Sequence, residues 1–182
     1  MGRRFAVLAV CTANICRSPI MEALLRDRLD QDVFEIASAG TRGWDRQPMD
    51  TMAAMELMRL GMRPGNFRSH PIDSYLVESA GLILTAARVH RSDILSTSPQ
   101  ALRRTFTLRE FALLAPTVDA PDLESFVAEA ARARGTVRGD LDVDDPYRRS
   151  PEVHRAVADQ IDEACRVVAD RLNDVATRSA TA

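Results

Sequence analysis

Residues 5–10, Phe-Ala-Val-Leu-Ala-Val, form an unbroken apolar run that ends on Cys11 and passes through Thr12-Ala13-Asn14-Ile15-Cys16-Arg17-Ser18 to Pro19. A short run with no polar face reads as a strand covered on both sides. Pro19 suits the first turn of a helix, where its missing N–H would have had no partner, and Ser18 is a natural cap. The chain is therefore committed at its start to a strand, a tight turn and a helix. The rest of the chain must supply cover for both faces of that strand.

The remaining sequence supplies it. Residues 33–37 (Val-Phe-Glu-Ile-Ala) predict a second strand, closed by Ser38-Ala39-Gly40-Thr41. A loop through Gly43 and Trp44 leads to a helix from Pro48 to Leu60 that Gly61 stops. Met49, Met52, Met55 and Met58 recur at every third residue of it and read as a flexible core stripe. Gly81 to Thr85 predicts a buried parallel strand, residues 88–98 are a polar segment, and Thr105 to Leu108 predict a fourth strand. Strands alternating with helices point to an α/β fold with a parallel sheet and right-handed crossovers. Ligands in such folds sit at the carboxyl ends of strands, where Cys11 lies.

Residues 116–140 form a variable segment. Pro116 and Pro121 bracket a turn, Leu123, Phe126, Val127, Ala130 and Ala131 make a short amphipathic helix, and Gly135 and Gly139 loosen the chain after it. Pro151 opens the clearest helix, whose stripe of Val153, Val157, Ile161, Cys165, Val168, Leu172 and Val175 should pack along the sheet. Cys165 on that stripe reads as a core thiol. With 182 residues the chain suits one domain, here residues 1–175, followed by a small, polar, frayed tail at 176–182.

Composition excludes several functions. A formal net charge of −2 gives no basic field for nucleic acid, although all 24 basic side chains are arginine. No apolar stretch is long enough to span a bilayer and no secretory cleavage pattern follows Met1, so a cytoplasmic protein with no membrane association is expected. Three cysteines do not suggest a disulfide framework.

The turn at Cys11 carries the chemistry. A loop between strand and helix can wrap its N–H groups around a tetrahedral oxyanion, and Arg17 can give two parallel donors to phosphate oxygens. The amide dipoles, the helix N-terminus and the guanidinium all favour thiolate over thiol at Cys11, and thiolate is the nucleophile. Ser18 could donate to that sulfur or serve only as a helix cap, and Asn14 suits a left-handed position that turns amides inward. The pattern is that of a cysteine-dependent phosphatase.

Val10-Cys11-Thr12-Ala13-Asn14-Ile15-Cys16-Arg17-Ser18-Pro19 resembles the phosphate loop of the low-molecular-weight protein tyrosine phosphatases, and Asp145-Pro146-Tyr147 resembles that family's late acid loop. Ser38 to Thr41, Gly43-Trp44, Pro48-Met49-Asp50, Leu82 to Leu84 and Thr105 to Phe111 extend the resemblance over most of the chain, with Thr105 to Phe111 like bacterial, especially actinobacterial, members. The resemblance implies a flavodoxin-like sheet of strand order 2-1-3-4 and hydrolysis of phosphotyrosine in proteins, with no metal or other cofactor. Cys11, Arg17 and Asp145 would be catalytic, and Thr12 through Ser18 would bind phosphate. Trp44, Tyr147 and Arg148 would line the substrate pocket. Of the acidic run Asp140, Asp142, Asp144 and Asp145, Pro146 favours Asp145 as the acid, and the other three read as a solvated loop. Arg148 with Arg149 would favour acidic sequences around the phosphotyrosine. Ile15 stands where phosphoarginine-specific relatives carry threonine, which argues for phosphotyrosine. The partners implied are a phosphotyrosine protein, with a bacterial tyrosine kinase as one candidate, and inorganic phosphate as product.

The resemblance has departures. Ala13 replaces the family's usual glycine, which is harmless only at a negative φ. Ala86-Ala87 replaces Met-Asp, removing an aspartate that supports the loop serine and leaving His90 as a substitute. His70 stands near the family's displaced buried histidine. Cys16, which the family pattern also carries, could pair reversibly with Cys11 or pack beneath the loop. Alternatives are a phosphate-binding module that has lost turnover and an arsenate reductase, although the latter would need further cysteines that are missing between Cys16 and Cys165.

Overall fold

Successive residues of the first strand, β1 (Phe5–Cys11), feed two separate cores: Val7, Ala9 and Cys11 join one, Leu8 and Val10 the other. That division follows from strand geometry, in which neighbouring side chains point to opposite faces. The computed structural model describes residues 4–181. In it β1 pairs in parallel with β2 (Phe34–Gly40) on one side and β3 (Leu82–Thr85) on the other, and β4 (Thr105–Thr107) extends the sheet beyond β3. The strand order is β2-β1-β3-β4, as expected.

The larger core lies under α1 (Arg17–Arg28), α2 (Thr51–Arg59), α5 (Leu108–Leu114), α6 (Leu123–Ala133) and α7 (Pro151–Thr181). Phe106, Phe111 and Phe126 are fully buried there and stack edge to face or tilted, at centroid separations of 5.0 and 6.1 Å. Truncating such a ring costs about 3–5 kcal/mol, so this cluster is a main support of the β4 end of the sheet. The smaller core lies under α3 (Ser74–Ser79) and α4 (Arg88–Thr97), through Val77 and Ile94. In α7, Val157, Ile161, Cys165, Val168, Leu172 and Val175 are buried, and burial pushes the Cys165 thiol up, as a core thiol requires. No helix among the described residues is long and apolar enough to cross a membrane.

Several local expectations are corrected. β2 runs on through Ser38, Ala39 and Gly40, which the sequence assigns to a turn; these small residues pair with Ala9, Val10 and Cys11. Pro48 lies outside α2, whose N-cap is Asp50, accepting from Met52 N and Ala53 N at 3.1 Å. The methionines are not a core stripe. At 100° per residue a period of three drifts around the helix, so Met49 is buried while Met55 and Met58 are about half exposed. The polar segment 88–98 is largely α4. Helix α7 continues through 176–181 where a frayed tail was expected, since the segment holds no glycine or proline to stop it; Ala182 lies outside the described residues.

Candidate active site

The loop after β1 turns its carbonyls outward and anchors them. Cys11 O accepts from Thr41 N at 2.9 Å, Thr12 O from Arg42 N at 2.8 Å, and Ile15 O from Asp50 N at 2.8 Å. The N–H groups of Thr12, Ala13, Asn14, Ile15 and Cys16 give no hydrogen bond to any described residue. A loop with bound carbonyls and free amides is arranged for an anion. The inward turn is made by Asn14 at φ 56°, a conformation that asparagine tolerates. Ala13 lies outside the left-handed region, so its methyl costs nothing there.

Close approach of β2 holds the loop in place. A Cβ on Gly40 would stand 2.6 Å from Thr12 O and 2.9 Å from the carbonyl carbon of Ala13, both backbone atoms. Only glycine lets the end of β2 lie this near the turn.

The nucleophile has its own polar support. Cys11 Sγ lies 3.0 Å from Ser18 Oγ. Asn14 Nδ2 donates to Ser18 Oγ at 2.9 Å and to Ser38 Oγ at 2.8 Å, and Ser38 in turn donates to Glu22. His70 N donates to Asn14 Oδ1 at 2.8 Å, which fixes the amide's orientation. Ser18 Oγ accepts from Asn14, and its own proton has two acceptors within reach, the sulfur at 3.0 Å and Ala39 O at 3.5 Å. Ser18 is therefore no helix cap; Cys16 occupies the cap position, with no side-chain bond. His70 contributes its backbone only, and its ring is exposed. Burial pushes the Cys16 thiol up, with Asp50 adding to the effect, and both Cys11 and Cys16 are free thiols; packing beneath the loop is what this geometry shows for Cys16.

Arg17 is 5% exposed and links the loop to the segment carrying Asp145. Its Nη1 donates to Val143 O at 3.0 Å, and its Nη2 lies 3.3 Å from Thr12 Oγ1 and 3.2 Å from Asp145 Oδ2. Arg17 Nε is buried without a hydrogen-bond partner. An unpaired buried guanidinium N–H is costly, and an oxyanion in the loop would satisfy it.

Asp140 and Asp142 are more than a solvated run. Arg88 donates to Asp142 from its backbone N at 2.8 Å and from Nη2 at 3.0 Å, while Arg109 reaches Asp140 Oδ2 at 3.2 Å and Asp142 O at 2.9 Å. Burial opposes charge on Asp142, but these Arg88 bonds outweigh it and hold the carboxyl below its usual range. Val143 N donates to Ala86 O at 2.8 Å, and Val143 is buried. Asp145 emerges two residues later, and its Oδ1 accepts from Tyr147 N at 3.3 Å.

These parts enclose a cavity of about 280 Å³ lined by Cys11, Thr12, Ala13, Ile15, Cys16, Arg17, Arg42, Trp44, Asp145 and Tyr147. Trp44 and Tyr147 both line it. Arg148 does not line it; at φ 59° it turns back so that its guanidinium lies 5.2 Å over the Tyr147 ring. Arg42 does line it, unforeseen from sequence because the extension of β2 that carries it there was read as a turn. A larger groove, about 740 Å³, runs behind α1 past Glu22 and Arg26 but touches neither Cys11 nor Asp145. Among the described residues no group of three His, Cys, Asp or Glu side chains could hold a metal ion.

His90 is the other residue whose place was only partly foreseen. It reaches the loop at Thr12, with Nε2 2.8 Å from Oγ1, and not at Ser18. Its ring is buried, and that burial, with Arg17 nearby, pushes its pKa down to about 4.

Comparison with known proteins agrees with this arrangement. The model of the low molecular weight phosphotyrosine protein phosphatases matches residues 6–126. The chain is 28% identical over 168 residues to a protein-arginine-phosphatase of Geobacillus stearothermophilus, covering 92% of this chain and 96% of that protein. It is 26% identical to the low molecular weight protein-tyrosine-phosphatase Etp of Escherichia coli K12, covering 92% and 95%. The solved structure of the tyrosine phosphatase Wzb from Escherichia coli K30 with sulphate superposes with a TM-score of 0.72 at 25% identity, covering 93% of this chain and 99% of that one.

Proposed function

The chain belongs to the low molecular weight phosphotyrosine protein phosphatase family, a family of cysteine-dependent phosphatases, and from that premise we propose how its residues divide the reaction. Cys11 attacks phosphorus in line, forming an S–P bond as the P–O bond to the leaving group breaks. Asp145 gives its proton to the departing phenolate oxygen. It then takes a proton from water, whose oxygen attacks phosphorus, breaks the S–P bond and releases inorganic phosphate. Ser18 donates to the sulfur that leaves in this second step. Arg17 and the amides of the loop hold the phosphoryl oxygens throughout. The observation that carries this assignment is the loop itself: unpartnered amides and the unpartnered Arg17 Nε surround Cys11, with Asp145 beside them in one cavity.

The substrate we infer is phosphotyrosine in a protein. Ile15 presents an apolar side chain to the cavity, and to Trp44 and Tyr147, which line it too, we assign contact with a phenyl ring. Relatives named for both phosphotyrosine and phosphoarginine are equally near, so this choice rests on those side chains and not on kinship. A bacterial tyrosine kinase or another tyrosine-phosphorylated protein is the partner class that fits.

Hydrolysis of an aryl phosphate by the wild type, Cys11→Ser and Asp145→Ala tests the assignment. The serine variant should be inactive, and the alanine variant should lose about 10²–10⁴-fold in kcat, most with poor leaving groups. Equal rates in all three would overturn it. Matched phosphotyrosyl and phosphoarginyl peptides test the substrate, and faster turnover of phosphoarginine would reverse that part.

A further inference from the structure

Thr12 follows the nucleophile directly and lines the cavity, and its hydroxyl sits in a network that fixes which way its proton points. The network is read from the far side of the His90 ring. Ala87 N lies 3.1 Å from His90 Nδ1. A peptide N–H can only donate, so Nδ1 accepts, the ring is neutral, and its one proton is on Nε2. Nε2–H therefore donates to Thr12 Oγ1 at 2.8 Å. The guanidinium of Arg17, which has no acceptor, reaches the same oxygen from Nη2 at 3.3 Å.

A hydroxyl has two lone pairs and one proton. Both lone pairs of Thr12 are engaged, and its hydroxyl makes no other hydrogen bond to a described residue. What remains to take its proton is a group in the cavity it lines. Building on the phosphatase assignment above, we propose that Thr12 is an obligate hydroxyl donor to the transferring phosphoryl group and that His90 is the positioning residue that makes it so. A freely rotating hydroxyl can accept as well as donate and would tolerate a protonated phosphate oxygen. One whose lone pairs are filled cannot, so the pair selects the fully ionised phosphoryl dianion.

The test uses Thr12→Ser, Thr12→Val, His90→Gln, His90→Leu and the double variant Thr12→Val/His90→Leu. The readouts are kcat/KM on an aryl phosphate and inhibition by vanadate. Thr12→Val and His90→Leu should each lose on the order of 10–100-fold in kcat/KM and bind vanadate correspondingly less well. Thr12→Ser keeps the hydroxyl and His90→Gln keeps an N–H donor, so each should recover most of what Thr12→Val and His90→Leu lose. The double variant should be no worse than Thr12→Val alone, since His90 acts only through that hydroxyl. Wild-type kcat/KM in Thr12→Val, or a further loss on adding His90→Leu, would overturn the proposal. Binding of inorganic phosphate to Cys11→Ser, with and without Thr12→Val, is measured by calorimetry and needs no turnover. Weaker binding with valine supports the donor even if the phosphatase assignment fails; unchanged binding refutes it.

Discussion

The two walls of the catalytic cavity are built in different ways. The phosphate side, residues 11–17, is tied by backbone hydrogen bonds to the end of β2 and to the residue before α2, and Cys11, Asn14, Cys16, Arg17 and Ser18 are buried. The acid side, residues 140–147, is held by buried Val143 and Pro146, by the carbonyls of Leu141 and Val143, which accept from Thr107 Oγ1 and Arg17 Nη1, and by the more exposed Arg88–Asp142 and Arg109–Asp140 pairs. On the assignment proposed above, recognition of the phosphoryl group would rest on core packing, while delivery of the proton would depend on a segment held partly from the surface, through its Asp140 and Asp142 carboxylates. Faults on the first side should be large and insensitive to solution conditions. Faults in the exposed pairs that anchor the second, Asp145 itself aside, should be small and sensitive to salt.

Among changes that leave the reacting side chains in place, the largest expected effect comes from Gly40→Ala. The new methyl would meet Thr12 O and the Ala13 carbonyl carbon, neither of which can rotate away, so the loop itself must shift. A displacement of that kind should lower kcat/KM about 10²-fold, checked by steady-state kinetics beside circular dichroism to show that the fold persists. Unchanged kinetics would mean that the loop is less tightly held than described.

His90 sharpens the same side through pH. Above about pH 6.5 the ring is neutral in folded and unfolded chains alike, whereas between 6.5 and about 4 only the unfolded chain takes up a proton. Stability should therefore fall as pH falls through that window, by on the order of 2 kcal/mol at pH 5 relative to pH 7. Asp142 lies near the ring and titrates as well, so urea unfolding of His90→Gln is the comparison: its loss between pH 7 and pH 5 should be smaller than the wild type's. Equal losses would sink the assignment.

The smallest effect belongs to the acid side. Arg109→Ala removes bonds to Asp140 and to the Asp142 carbonyl, and should slow turnover of poor leaving groups only a few-fold at low ionic strength. Added salt should bring the wild type towards the variant by screening the exposed pairs. A loss as large as that of Asp145→Ala would erase the distinction between the two walls.

The sequence revealed the two walls unequally. Cys11, Arg17 and Asp145 were legible because their chemistry sits in short local patterns, a turn before Pro19 and an acid before Pro146. The parallel α/β sheet and the long final helix were legible from apolar patterning, the strand order only through the family resemblance. His90 was not placed at Thr12, since 78 residues separate them and only the shared carboxyl edge of β1 and β3 brings them together. Arg42 was missed because Ser38-Ala39-Gly40 carries the composition of a turn while pairing as strand. The anchoring of Asp140 and Asp142 was missed for a similar reason: a charge run shows its sign, and only the fold shows which cations meet it.

One guanidinium nitrogen, Arg17 Nη2, stands 3.2 Å from the carboxylate of Asp145. On the assignment proposed above, Asp145 is held at rest by the very group that a phosphoryl ligand would claim. A ligand that engaged Arg17 would also release Asp145, so that seating the substrate and arming the catalyst would become a single event. An ester that drifts to the mouth of the cavity without a phosphoryl group to offer meets a safety catch.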